Sequence, residues 1–527
     1  MINDRTKTWL GWAAGVALIV LSRLPYVSEG TAVLDGDEAI LALMSKHLSE
    51  GQPLELFFYG QNFGVTLVEN VNAALFFILL GVSTTTLKIA TLSLWIMGWS
   101  FFLFGTRRLT DTNTALIASL LLLTCSAWIL WSTLARGYHV GGFMLFQLCF
   151  WQFAWLYKSD SLPEVDYSRF VWLGLSVGLL FLTQKLWFIS FLPFLAIVLW
   201  RRKSLQETLI MTVCLIAVAT LPQFFPGTSS QYWNPEYLRE MNPILTAMAL
   251  PERIWTFFSG VYSYSTRMDS NVFAKTAATA WCLALIISST ILGKRLRTGP
   301  ERSLSAAIIA SGLVIMGATL FISPPLFGYR YLLPIASLCC LSFALCIPNR
   351  PEHAKNTGSI PTIVATTTIV LTLSALGILA TGSSKNFRAP TAFNPTTISP
   401  QESIDQLIRD LEAQGIHHVY SLDAMLQWNI IFSSQESITA RWSDPKDRRP
   451  EYPLRVDQAL FAGESTAIVG TAELMESFTA FLGSRNIQAQ PIYAAGDRYF
   501  WLLNPSQELL QAVGFELNPD SMKTSPH

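Results

Sequence analysis

The segment Leu34-Asp35-Gly36-Asp37-Glu38-Ala39 places three carboxylates side by side ahead of an apolar run. Ile40, Leu43, Met44 and His47 follow at helical spacing and the run ends near Gly51, so the acids stand at the start of a short amphipathic helix. A carboxylate in a partly desolvated cleft can take the proton of an attacking hydroxyl or amide while a good leaving group departs. The same residues also read as a helix start, with Asp37 as the N-cap and Glu38 in the first turn. The two roles are compatible, because a cap fixes its own carboxylate. A phosphate leaving group would need cationic donors, and arginine offers a planar fork that matches phosphate oxygens. Arg136, Lys185, Arg267 and Arg330 are the candidates, each of which could instead snorkel toward lipid headgroups. Tyr59, Gln61, Asn62 and Glu69 read either as a sugar pocket or as polar groups buried against a juxtamembrane helix. His139, beside Tyr138, reads as a satisfied structural histidine, and Trp128, Trp131, Trp187 and Trp233 read as interface anchors.

The elements that must position these groups lie in a membrane. Of 527 residues, 51% are hydrophobic and 14% charged, against roughly a quarter charged in an average globular chain. That excludes a soluble enzyme and a disordered chain. Lys+Arg and Asp+Glu balance at 36 each with no long basic stretch, so no nucleic-acid partner is expected. The cysteines sit inside apolar runs and no CxxC occurs, which predicts neither a disulfide framework nor a structural metal.

Crossing about 30 Å of hydrocarbon takes about 20 mostly apolar residues. Candidate spans are residues 8–26, 86–106, 114–133, 138–157, 170–184, 186–200, 205–224, 275–293, 304–323, 330–347 and 361–381, so the fold class is a polytopic α-helical membrane protein with about eleven transmembrane helices. The run Phe63 to Gly81 carries Glu69, Asn70 and Asn72, which are costly at membrane depth. Basic clusters at Arg107 and Arg108, Lys158 and Arg169, Arg201 to Lys203, Lys294 to Arg297, and Arg350 and Lys355 should be cytoplasmic. They fall on one side, with Arg5 and Lys7, if residues 63–81 do not cross and form a juxtamembrane or re-entrant helix. A membrane part of residues 1–381 with an outer loop at 27–85, a linker at 382–399 and a small outer-face α/β domain at 400–527 follow from this reading. In that domain Ile404, Leu407, Ile408 and Leu411 follow helical spacing, and strand-like runs occur at His418 to Leu422, Ala467 to Gly470 and Tyr499 to Leu503.

A first span, an outer loop with Asp-Glu before an amphipathic helix, a juxtamembrane segment and a span ending in Arg-Arg resemble the GT-C glycosyltransferases, particularly the protein O-mannosyltransferase and lipid A aminoarabinose transferase branch. Phe57-Phe58-Tyr59-Gly60-Gln61-Asn62-Phe63-Gly64 with the following Glu69, and Tyr329-Arg330-Tyr331-Leu332-Leu333-Pro334, are similar to motifs of a bacterial subgroup, as is the stretch from Gly415 to Asp457. The resemblance implies a polyprenyl-phosphate sugar donor and a lipid, glycan or protein acceptor reached from the outer face of a bacterial inner (plasma) membrane. It implies that Asp37 matches the family's general base, with Asp35 as the alternative in the same motif. With the cations at the outer ends of spans, this reading places Glu38, Tyr59, Gln61, Asn62, Glu69, Arg136, Lys185, Tyr329 and Arg330 around the substrates. No cofactor is expected, and a divalent-metal requirement is left open. The sequence departs from the family pattern at Ala135-Arg136-Gly137-Tyr138-His139, where many relatives carry a second acid, and at Asp423 to Trp428, where members often are tyrosine-rich.

A non-catalytic subunit that binds or assembles lipid-linked glycans is the competing reading, and a transporter the third. The absence of an internal repeat weakens the transporter. The topology is open to test: a Ser49→Cys variant should react with a membrane-impermeant thiol reagent in intact cells, and protection until the cells are opened would overturn it.

Overall fold

The computed structural model describes residues 3–28, 34–61, 64–158, 167–224, 242–260, 272–298, 302–322, 329–346, 359–382, 400–443, 448–485 and 491–517. The chain begins with α1 (Asp4–Val27), α2 (Gly36–Ser49), α3 (Leu67–Leu80), α4 (Thr84–Leu109), α5 (Thr112–Thr124) and α6 (Ser126–Trp131). It continues through α7 (His139–Lys158), α8 (Tyr167–Thr183), α9 (Lys185–Arg202), α10 (Leu205–Ala219), α11 (Pro243–Phe258), α12 (Val272–Thr298), α13 (Arg302–Ile322), α14 (Leu333–Cys346) and α15 (Ser359–Gly382). The apolar runs read as spans are largely helical among the described residues, but the run 114–133 breaks at Cys125 into α5 and the short α6. Among the described residues, 6 helical segments are long and apolar enough to cross a membrane, within α1, α4, α7, α12 and α13 and over Leu205–Phe224. The chain is an integral membrane protein.

Glycines set how closely these helices pack. On α4, Gly98 and Gly105 lie two turns apart on one face, and a Cβ there would stand 2.6 Å from Phe143 and 2.9 Å from Phe150 of α7. On α8, Gly174 and Gly178 make the same allowance for Met211 and Val218 of α10. Without a hydrophobic force between helices in lipid, such close approach supplies the association energy through van der Waals contact. Trp128, Trp131 and Trp187, expected at the interface, are buried instead. Trp128 lies 4.5 Å and Trp187 6.1 Å from the Phe143 ring, so aromatic partners inside the bundle hold them. Trp233 lies outside the described residues.

α3 has 14 residues, about 21 Å at 1.5 Å per residue, which is short of the hydrocarbon thickness. Its exposed face carries Val71, Leu75, Ile78, Leu79 and Leu80, whereas Glu69, Asn70, Ala73, Ala74 and Phe77 face inward. α2 was expected to be amphipathic, yet all its residues from Glu38 to His47 are buried. The reason is that both of its sides are covered.

The second cover is the C-terminal domain, which comprises α16 (Pro400–Ala413), β1 (His418–Ser421), α17 (Ala424–Ser433), β2 (Thr439–Arg441), α18 (Glu451–Phe461), β3 (Thr466–Thr471), α19 (Ala472–Ser484), β4 (Ile492–Ala495), β5 (Tyr499–Leu503) and α20 (Gln507–Ala512). The sheet order is β2-β1-β3-β5-β4, with β2, β1 and β3 parallel and β5 and β4 antiparallel. Alternation along the strands separates two cores. Tyr420, Ile468, Phe500 and Leu502 join Phe478, Leu482 and Leu510 on one face. Val419, Ala467, Val469 and Trp501 join α16 and α17 on the other, and that core runs on into Ile40, Leu43 and Met44 of α2 and Phe77 of α3.

The docking is therefore a shared core, in which Phe432 stacks on Phe77 with ring centroids 6.4 Å apart. Phe432→Ala should cost about 3–5 kcal/mol of this packing. The expected readout is a lower thermal midpoint with faster hydrogen exchange in α3 and α17 together; exchange confined to α17 would mean that the two sides are not one core.

Candidate functional site

The three acids at the start of α2 have different surroundings. The N-cap is Asp35, not Asp37: its Oδ1 accepts the Glu38 N–H at 3.0 Å, and Glu38 Oε2 accepts the Asp35 N–H at 3.2 Å. This reciprocal capping box satisfies two backbone donors at once. The other Asp35 oxygen accepts the Arg136 Nε–H at 2.6 Å. Arg136 is itself buried, so it anchors the cap. Glu38 is 1% exposed; its Oε1 pairs with the Lys88 ammonium and accepts the Ala135 N–H at 2.7 Å. Burial pushes the Glu38 carboxyl up, opposed by the Lys88 charge.

Asp37 is left over. Its side chain is 18% exposed and meets Arg448 of the C-terminal domain at 3.7 Å, beyond hydrogen-bond distance. Among the described residues it accepts no hydrogen bond. Tyr138, with φ of 61°, packs where a Cβ on Gly64 would lie 2.6 Å from its ring, which is why position 64, at φ +71°, is glycine. Burial raises the Tyr138 phenol to about 12, and the charges of Arg330, Asp37 and Arg448 all reach it. Arg330 lies over the Tyr331 ring at 5.2 Å. Asp35, Asp37, Glu38, Arg136 and Arg330 are thus gathered around Tyr138 and the start of α7.

The other expected residues are placed differently. Glu69 Oε1 accepts the Gly141 N–H at 2.8 Å, capping the exposed donors at the amino end of α7. A Cβ at Gly141 would lie 2.6 Å from the Glu69 carboxyl carbon. Burial pushes Glu69 up to about 7, and its Oε2, like Gln61 Oε1, has no hydrogen-bond partner among the described residues. Tyr59 is buried in a polar cluster between α2 and the C-terminal domain, where its hydroxyl lies 2.6 Å from His47 Nδ1 and accepts from Arg449 Nη1 at 2.6 Å. In the same cluster Glu436 bonds Lys46 at 2.6 Å, His47 Nε2 at 3.0 Å and the Tyr452 hydroxyl at 2.7 Å. Burial pushes Glu436 up, but these bonds together hold it well below the usual carboxylate range. Lys185 is exposed at the join of α8 and α9, and no ion pair links it to the acids among the described residues. His139 is buried with its ring 5.3 Å from Trp131. Asn62 and Arg267 lie outside the described residues, and Tyr329 opens the short turn of helix that carries Arg330. Among the described residues no group of three or more His, Cys, Asp or Glu is arranged to hold a metal ion.

Sequence reasoning missed Lys88, although a lysine inside an apolar span is itself a signal of a buried partner. It also missed the role of Arg448, which lies far from Asp37 along the chain.

No protein-family model matches the chain, and no curated protein does. Solved structures do. ArnT from Cupriavidus metallidurans in the apo state is similar over 94% of this chain and 98% of its own, with a TM-score of 0.59 and 14% identity. The same ArnT bound to undecaprenyl phosphate gives a TM-score of 0.57 at 14% identity, over 95% of this chain and 98% of its own. The oligosaccharyltransferase AglB from Archaeoglobus fulgidus, in complex with an inhibitory peptide and a dolichol-phosphate, gives 0.52 at 12%, covering 89% of this chain and 71% of its own. The fold is shared with these proteins.

Glu69 yields a test. Its folded value of about 7 exceeds the ordinary 4.5, so the proton it binds favours the folded state below about pH 4.5. That contribution, about 3 kcal/mol, is lost as pH rises to about 7. Glu69→Gln has no such titration. Its thermal midpoint relative to the wild type should therefore be higher at about pH 8 than at about pH 5; a difference independent of pH would contradict the assignment.

Proposed function

We propose that the chain is an integral-membrane glycosyltransferase that moves a sugar from a polyprenyl-phosphate carrier to an acceptor on the outer face, with Asp37 as general base. One observation carries this reading: of the three acids, Asp35 is spent on the cap and Glu38 on a buried ion pair, which leaves Asp37 partly exposed and without a hydrogen bond among the described residues. A fold shared with a structure that binds undecaprenyl phosphate supports the donor class.

In the proposed step, the acceptor O–H or N–H gives its proton to Asp37 as the acceptor atom forms a bond to the anomeric carbon. The bond from that carbon to the phosphate oxygen breaks, and its electron pair leaves with the lipid phosphate. Arg330 would receive that phosphate, since a guanidinium matches two of its oxygens. Gln61 and Glu69, each with a buried unpartnered oxygen among the described residues, would accept from sugar hydroxyls. Asn62 and Tyr329 are carried in this proposal by the family resemblance, and Lys185 by its place between two short spans. Residues 1–381 would be the membrane part and 400–527 the outer domain, joined by 382–399.

Transfer of labelled sugar from polyprenyl phosphate, in membranes matched for protein level, tests the reading. Asp37→Asn should lower the rate by roughly 10² to 10⁴, the usual cost of losing a general base. Asp35→Asn should lower the rate much less at matched protein level, because asparagine caps about as well as aspartate; its cost falls on stability, through the lost charge opposite buried Arg136. Arg330→Lys should raise the KM for donor, since a point charge replaces a fork. Undiminished transfer by Asp37→Asn would exclude it as the base.

A further inference from the structure

We infer that Arg448, supplied by the C-terminal domain, is the positioning residue of Asp37, so that the site is complete only when that domain is docked. The inference rests on the proposed role of Asp37 as base.

The seat of Arg448 is built. Its guanidinium carbon lies 5.1 Å from the centroid of the Phe58 ring, a cation–π distance that fixes where the planar group lies. Position 60 has φ +74°, and a Cβ there would stand 2.8 Å from both Cβ and Cγ of Arg448. Any side chain at position 60 would push the arginine out, so Gly60 serves both the turn and the arginine. The third side of the seat is the Asp37 carboxylate at 3.7 Å.

The acidic loop meets the C-terminal domain at two further points. The Leu34 carbonyl accepts from Asn429 Nδ2 at 3.1 Å. A Cβ on Gly36 would lie 2.8 Å from the Cα of Met425. Leu34, Gly36 and Asp37 are therefore held by the C-terminal domain, while Asp35 and Glu38 are held by Arg136, Lys88 and Ala135 from the membrane part. Asp37 Cβ is fixed by the first turn of α2, and among the described residues Arg448 is the charged group recorded against its carboxylate. Arg448 would aim it, and a misplacement of about 1 Å at a reacting group can cost about 10²-fold in rate.

The test is a double-mutant cycle on transfer. Arg448→Ala should lower kcat roughly 10-fold to 100-fold with the KM for donor little changed, and Arg448→Lys should recover part of the loss. Gly60→Ala, which keeps both charged residues in the chain but fills the seat and displaces Arg448, should act in the same direction. In the Asp37→Asn background, Arg448→Ala should cost nothing more. An Arg448→Ala enzyme with unchanged kcat, while Asp37→Asn is inactive, overturns the inference and leaves the proposed function standing. A fully active Asp37→Asn enzyme overturns both. Where no donor yields transfer, the same cycle on the thermal midpoint decides: coupling between Asp37 and Arg448 supports the inference, and additive effects overturn it.

Discussion

Glu38 is a carboxylate taken out of water at the edge of a membrane, and the geometry around it follows from the need to pair it. Such a charge is tolerated only with an opposite charge and filled lone pairs, and removing one partner of a buried pair costs about 3–5 kcal/mol. Three segments meet that need. Lys88 comes from α4, the Ala135 N–H from the turn before α7, and the Asp35 N–H from the start of α2 itself. One side chain thus fixes the entry of α2 against two parts of the bundle. Arg136, next to Ala135, repeats the contact through Asp35.

With its amino end pinned from below, α2 becomes the post on which the C-terminal domain is built. Ile40, Leu43 and Met44 belong to the same core as Trp428, Ile431 and Val469. At the far end of the helix, Lys46 and His47 close the contact through Glu436. There His47 bridges the two parts, with Nε2 3.0 Å from Glu436 and Nδ1 2.6 Å from the Tyr59 hydroxyl. The C-terminal domain is therefore not a tethered appendage, since its sheet finishes a core that the helices before it begin. Excised, it would uncover the face that α2 fills.

How much of this the sequence disclosed depends on the range of the interaction. Spans are local, because a run of apolar residues long enough to cross lipid is visible without knowing its neighbours, although the break at Cys125 inside one run was not. β1, β3 and β5 were legible through their own apolar residues. β2, only Thr439–Arg441, and β4, paired only with β5 at the sheet edge, draw their stability from a partner and had little local signal. The capping box was local too: Asp35 stands three residues before Glu38, the spacing such a box requires, yet Asp37 competes for the same reading and only the geometry separates them. The tryptophans misled because an amphipathic ring suits an interface or an aromatic core equally well, and the glycines that make room for the core lie on other helices. Arg448 and Lys88 reach the acids from afar in the chain, a distance no spacing rule covers.

Among the described residues each of the three acids faces a cation, and the pairs differ in tightness. Glu38 with Lys88 is fully buried. Asp35 with Arg136 is bonded at 2.6 Å with the arginine side chain 4% exposed. Asp37 with Arg448 stands at 3.7 Å, with the side chains 18% and 19% exposed. A loose, water-accessible pair is worth about 1 kcal/mol or less, which an entering hydroxyl can offset with one good hydrogen bond to the carboxylate. The buried pairs cannot be opened at that cost. The ordering therefore assigns support to the two tight pairs and exchange with a ligand to the loose one, on a helix start held rigid by its neighbours.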